Sequence, residues 1–296
     1  MTLLQQESPN IGDVVLHHTA DAYGVGIETG IPQIDRFLSW HWGKFLPDLH
    51  VGPLTVNLTP TKHVVFLFVA AALVFLTMWW AGRRLEQQRA GERAPSGLAN
   101  ALEAIVLFVR NDVAIANIGH DGAKFAPYIM TLFFFILYAN LIGLLPHGAT
   151  PTGNVAVTGA LAITAFLVIE VSGFLKLGPA GYMRTIFPKV PGMQGAGAVA
   201  ISVAMAPIEI VGKFVKPFAL AVRLFGNMTA GHFVILSLFG LIFLFGHLDG
   251  WNWGIGAVTA GLVLGIMLLE IFVAFLQAYV FALLTAVFIG LMQHEH

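Results

Sequence analysis

From Val199 to Phe245, and again from Trp253 to Leu291, the chain stays apolar and helix-compatible for longer than a soluble core can use. At about 1.5 Å per residue such helices would be roughly 70 Å and 58 Å long. The hydrocarbon core of a bilayer, about 30 Å thick, needs only some 20 residues. Each stretch is therefore either two membrane spans joined by a tight turn or one helix lying steeply tilted in a membrane. No turn signal divides the last stretch, so tilt is the expectation there, while Pro207 and Pro217 offer places for the earlier one to bend.

Three shorter runs precede these two. The first spans about His63 to Gly82 and stops at Trp79-Trp80 and Arg83-Arg84, aromatic and basic residues that mark a membrane interface. The second covers about Phe125 to Leu145, before Pro146, and the third about Val155 to Leu175. Residues 97–120 read as a surface-lying amphipathic helix with Ser96 as N-cap. The stretch Lys176 to Gln194, rich in Gly and Pro, reads as a connection. The expected fold is an all-α integral membrane protein: about five membrane-crossing helices, one interfacial amphipathic helix, and a closing antiparallel hairpin of two long tilted helices.

Composition agrees. Only 10% of the 296 residues are charged, against roughly 25% in a soluble domain. The absence of cysteine excludes disulfides and thiolate metal sites. A net charge of −1 argues against a nucleic-acid partner. No basic region followed by an apolar core and a cleavage site opens the chain, so no signal peptide is expected. Residues 1–60 read as a separate N-terminal arm, in which Ile34 to Leu49, with Phe37, Trp40, Trp42 and Phe45, is either an interfacial segment or an extramembrane one. Residues 61–296 read as the membrane domain, with its key hairpin over 195–293.

Of 15 Lys and Arg, six lie between Arg83 and Lys124 and three between Lys176 and Lys189, while the connections around His147 and Gly246–Asn252 hold none. By the positive-inside tendency the two basic connections are cytoplasmic. The N-terminal arm is then outside and the C-terminus inside.

Ionisable groups inside membrane helices cost several kcal/mol unless paired or wetted, so they are functional candidates. The penultimate stretch holds Glu209, Lys213, Lys216, Arg223, Asn227 and His232, and the last holds Glu270 and Gln277. Lys213 and Lys216 read as snorkelling to the cytoplasmic surface. Arg223 is too deep for that. In a hairpin centred near Gly250, residues at equal depth have numbers averaging about 250, which pairs Arg223 with Gln277 and His232 with Glu270. His232 and Glu270 can exchange protons near neutral pH, as a relay opening to the outside. Arg223 keeps its proton at any relevant pH, so it can only force a nearby carboxylate to release one, with Gln277 placed to hydrogen-bond its guanidinium. Gly212, Ala219, Gly226 and Ala230 form a small-residue stripe beside it, which suits close approach by another helix. Glu209, 14 residues away and so roughly 21 Å along the helix, is too far to be its partner.

The segments KPFALAVRLFGNMTAGH (Lys216 to His232) and EIFVAFLQAYVFALLTAVF (Glu270 to Phe288) resemble the signature helices of the a subunit of F-type ATP synthases. NLIGLLP (Asn140 to Pro146) and PTGNVAVTGALA (Pro151 to Ala162) resemble that family's central hairpin. The resemblance covers about residues 60–296. It implies a stator, not an enzyme by itself, against which a ring of c subunits turns, held by the b subunits of the peripheral stalk in the inner membrane of a bacterium. Two offset half-channels would deliver protons to the ring carboxylates through His232 and Glu270 and release them near Glu209, with Arg223 between, and Gln277 and Asn227 beside the path. No cofactor and no metal is implied.

Two departures stand out. Many bacterial members carry Glu at the position of His232 and His at that of Glu270; here the two are exchanged, as in mitochondrial-type members. Gly143 stands where some members carry an acid, which leaves Asn154 to add polarity to the outer channel. A secondary transporter binding an anion at Arg223 would require paired repeats, and none is evident. A redox enzyme would require histidines at haem-binding spacing, and those outside the hairpin lie mostly near expected surfaces. His294 and His296 read as a solvated tail.

Overall fold

The computed structural model describes residues 59–90, 97–145, 149–187, 195–245 and 252–294, together with four short strands nearer the N-terminus. Those strands, β1 (Gly24–Val25), β2 (Trp40–His41), β3 (Asp48–Val51) and β4 (Leu54–Asn57), pair antiparallel as β1 with β2 and β3 with β4. Apart from those strand residues, the segment Ile34 to Leu49 lies outside the described residues, as do Ser96, the turn after Leu145 at Pro146 and most of the GHLDGWN turn.

Helices account for the rest: α1 (Lys62–Ala90), α2 (Leu98–Phe108), α3 (Gly122–Gly143), α4 (Val155–Ile186), α5 (Ala196–Phe245) and α6 (Asn252–His294). Five of them, all but α2, are long and apolar enough to cross a membrane. This is the expected multi-pass helical architecture. α5 runs for 50 residues through both Pro207 and Pro217, and α6 for 43.

Two expectations change. Gly97, at φ 68°, is the N-cap of α2, and among the described residues no side chain caps the helix. α4 does not end near Leu175. At Gly178 the backbone turns to φ 67° and ψ 177°, Pro179 follows, and helical structure resumes to Ile186. Glycine accepts that left-handed φ without steric cost, and proline is at ease in the first turn of the new segment. The Gly-Pro pair is thus a bend inside the element rather than its end. The bend has a measurable effect. Tyr182 hydrogen-bonds to Glu170 and packs its ring 5.7 Å from that of Phe174. In a straight helix, residues 170 and 182 would stand about 18 Å apart along the axis.

The chain packs as two compact units. One comprises Ala72–Leu137, Val155–Leu224 and Leu276–His296. Its core is mostly apolar, with Val109, Val113, Ile118, Ile129, Phe133, Ile136, Phe281 and Ile289 fully buried beside Thr158, Thr285 and Gln277. α2 continues here through a π-helical turn, Val109–Ile115, into Ala116–Ile118. The wider turn leaves carbonyls badly placed for α-helical bonds, and the Asn117 amide donates to two of them, those of Asp112 and Val113. One face of this amphipathic segment is buried against α6, where the ring of Phe108 stacks on that of Tyr279 at 5.8 Å. Gly290 meets the Asn117 carbonyl so closely that a β-carbon would overlap it. The opposite face, with Arg110, Asn111 and Asp112, is exposed.

The second unit takes in the described residues up to Ala71, then Tyr138–Asn154 and Phe225–Phe275. Its interior adds buried ionisable groups, Lys62, His63 and Glu270, to polar neutral ones. Thr59, Lys62, His63, Asn140, Thr150, Thr152, Thr259 and Glu270 are all buried in it. Buried polar groups are costly unless satisfied, so a core this polar marks a region built for something other than stability.

Candidate ion-translocation site

In the polar unit, the loop after α3 reaches His232 on α5. Nδ1 of His232 lies 3.2 Å from the Met228 carbonyl, and Nε2 lies 3.1 Å from Oγ1 of Thr150. A carbonyl can only accept, so Nδ1 carries the hydrogen and, in the neutral ring, Nε2 accepts from the threonine hydroxyl. Nδ1 of His63, at the start of α1, donates to the Thr150 carbonyl at 3.0 Å. Two residues on, the Thr152 hydroxyl donates to Oδ1 of Asn140 at 2.6 Å. His63 therefore belongs to the interior.

Glu270 on α6 is buried, and among the described residues its Oε2 has no hydrogen-bond partner. Its carboxylate lies against Gly231 on α5, where a β-carbon would overlap it. Glu270 is thus brought beside Gly231, the neighbour of His232, but the side chains of Glu270 and His232 make no hydrogen bond.

In the apolar unit, Arg223 is exposed on α5, and among the described residues it makes no hydrogen bond or ion pair. Around it the helix presents Phe214, Val215, Phe218 and Val222 as exposed apolar side chains. No atom lies within 4 Å of where a β-carbon would stand on Gly212 or Gly226. The small-residue stripe is therefore open. Gln277 is buried and does not bond the guanidinium, contrary to the expected arrangement. Asn227 is exposed.

Lys213 does not snorkel. Its side chain is only 10% exposed and lies 3.3 Å from Oε2 of Glu170 on α4. It also donates to Oγ1 of Thr185 at 3.0 Å and sits 4.4 Å above the Tyr182 ring. The turned tail of α4 thus closes a cage around the ammonium. Glu170, Lys213, Glu209, Lys216 and Phe288 line a cleft of about 60 Å³, room enough for several water molecules. Glu209 is half-buried on its wall. Sequence reasoning missed Glu170, although an ionisable residue in an apolar span was the available signal. It also missed Thr150 and His63, which carry no comparable signal.

Just ahead of α3, Asp121 accepts hydrogen bonds from Lys124, at 2.8 Å, and from Lys176 of α4. The bond from Lys124, and then that from Lys176, holds its carboxyl well below the usual carboxylate range.

Comparison with known proteins agrees with this picture. The model of the ATP synthase A chain family matches residues 64–290. The chain is 46% identical over 251 residues to ATP synthase subunit a of Chloroherpeton thalassium, covering 84% of this chain and 71% of the relative. It is 43% identical over 286 residues to ATP synthase subunit a 2 of Chlorobaculum tepidum, covering 97% and 74%. With ATP synthase subunit a of Myxococcus xanthus it shares 43% identity over 259 residues, covering 86% and 80%. A multi-pass helical chain matched over most of its length to these proteins belongs to the ATP synthase A chain family.

Proposed function

We propose that this chain is the proton-translocating stator of its ATP synthase, with no catalytic activity by itself. Protons come from the outside through the polar interior that holds His232 and Glu270. They pass to carboxylates on a rotating c-ring and leave toward the cytoplasm by the cleft that holds Glu209. Arg223 separates the two half-channels. Asn227 and Gln277 flank the path, the b subunits hold the stator, the N-terminal arm lies outside and the C-terminus is cytoplasmic. α5 and α6 act as the hairpin that carries both half-channels.

The observation that carries this reading is Arg223 itself. A permanently charged guanidinium on an exposed apolar face, with no anion beside it among the described residues, is too costly in a membrane to stand without a partner. An external carboxylate supplies one, and each time it meets Arg223 it is driven to ionise. The exposed Phe and Val side chains and the open small-residue stripe give a partner helix access to that depth.

The test is Arg223→Ala in the whole complex. Assembly and ATP hydrolysis are expected to persist, while ATP-driven proton pumping and proton-driven synthesis fall to background. Coupling retained in that variant overturns the proposal.

A further inference from the structure

We infer that Thr150 is the positioning residue of His232, its hydroxyl holding the imidazole in one orientation whether or not the ring carries a second proton. The inference rests on the proposed role of His232 and deepens it.

Two contacts of the imidazole set the geometry. The Met228 carbonyl fixes Nδ1 as the protonated nitrogen, so Nε2 is the atom free to gain and lose a proton. Nε2 faces the Thr150 hydroxyl at 3.1 Å. That hydroxyl is both donor and acceptor: it gives a hydrogen bond to bare Nε2 and, by rotating about its C–O bond, accepts one from protonated Nε2. A carboxylate could only accept and a carbonyl could only accept. The hydroxyl is neutral in both states, so it steadies the ring without biasing its charge.

The placement of Thr150 is itself enforced. At Gly143 the last turn of α3 has no side chain, and the space a β-carbon would need is filled by Oγ1, Cβ and Cγ2 of Thr150. His63 holds the Thr150 carbonyl from the other side, and the Asn140–Thr152 bond pins the chain two residues later. Thr150 is buried, so its hydroxyl has no competing bulk water. The ionisable groups around the ring are Lys62, which acts on it electrostatically, His63 from the same helix, and Glu270 beside Gly231. The Gly143 backbone also hydrogen-bonds the ring, so Met228, Gly143 and Thr150 hold it together, and of the three only the Thr150 hydroxyl can both donate and accept.

The experiment compares Thr150→Val and Thr150→Ser in the intact ATP synthase reconstituted in vesicles, with proton flux measured per assembled complex. Thr150→Val keeps the shape and removes the hydroxyl; flux is expected to fall about five- to tenfold, the loss of one buried hydrogen bond to the reacting group. Thr150→Ser restores the hydroxyl and is expected to run near the wild-type rate. Gly143→Ala displaces the hydroxyl without removing it and is expected to match Thr150→Val. In a His232→Gln background, Thr150→Val is expected to cause no further loss. Wild-type flux in Thr150→Val overturns the inference, as does a Thr150→Ser variant no better than Thr150→Val, or a further loss in the His232→Gln background. His232→Gln running at full rate overturns the proposed role of His232, and this inference with it. An impaired His232→Gln beside a fully active Thr150→Val overturns this inference alone.

Discussion

Glu270 lays its carboxylate against the bare Cα of Gly231, where one helix meets another and the glycine could not take a β-carbon. The fit sets the depth of the only buried carboxylate with an unpartnered oxygen among the described residues. It also makes the glycine as consequential as the acid.

Gly231→Ala is therefore expected to displace Glu270 and depress proton flux toward that of Glu270→Gln. Overpacking of this kind costs about 1–3 kcal/mol, so assembly should survive at reduced thermal stability. Proton pumping by membrane vesicles, normalised to assembled complex, checks it.

Lys213→Met leaves Glu170 as an unpaired, mostly buried carboxylate. Breaking one partner of a buried pair costs about 3 kcal/mol, and the side chains here are 10% and 14% exposed. The variant should melt at markedly lower temperature in detergent. Adding Glu170→Gln should recover most of the loss, because it removes the stranded charge.

Glu209→Gln should slow proton release rather than uptake, since Glu209 lines the cleft with Lys213 and Lys216. Flux driven toward the cytoplasm should fall several-fold. Vesicle assays with the gradient imposed in each direction would show it.

Asp121 predicts an acid-sensitive contact. Its carboxyl, bonded by Lys124 and Lys176, is held far below its ordinary value of 3.8. A depressed carboxylate stabilises the fold above the unfolded-state value, and that contribution is lost as pH falls from about 3.8 through the folded-state value. The wild type should thus lose stability below about pH 4 more steeply than Asp121→Asn, which starts lower and stays flatter. Thermal unfolding measured across pH 3–7, about a range detergents tolerate, compares the two.

Much of the fold was legible because a membrane imposes a simple rule. A run such as His63 to Gly82 has no soluble alternative, and the basic pair Arg83-Arg84 marks its end. What sequence could not resolve was the difference between a stop and a bend. Gly178 and Pro179 look alike in both cases, and only the packing of Tyr182 on Phe174 distinguishes them. Arg223, His232, Glu270 and Glu209 were visible as ionisable groups in apolar helices. Lys213 was visible too, but its meaning depended on Glu170, 43 residues earlier on another helix. Thr150 was invisible, because a lone threonine between two apolar runs is ordinary until a histidine is seen to face it.

The bend in α4 also bears on how the chain enters the membrane. Synthesis delivers Glu170 before Lys213, so the anion arrives ahead of its counter-ion. Because Gly178 folds the tail back, the Tyr182 hydroxyl is on hand to shelter that carboxylate during the interval. When α5 follows, Lys213 meets an anion, a hydroxyl and an aromatic face already assembled. A lysine that would otherwise resist integration is thus received into a prepared berth, and the earlier helix serves as a scaffold for the insertion of the later one.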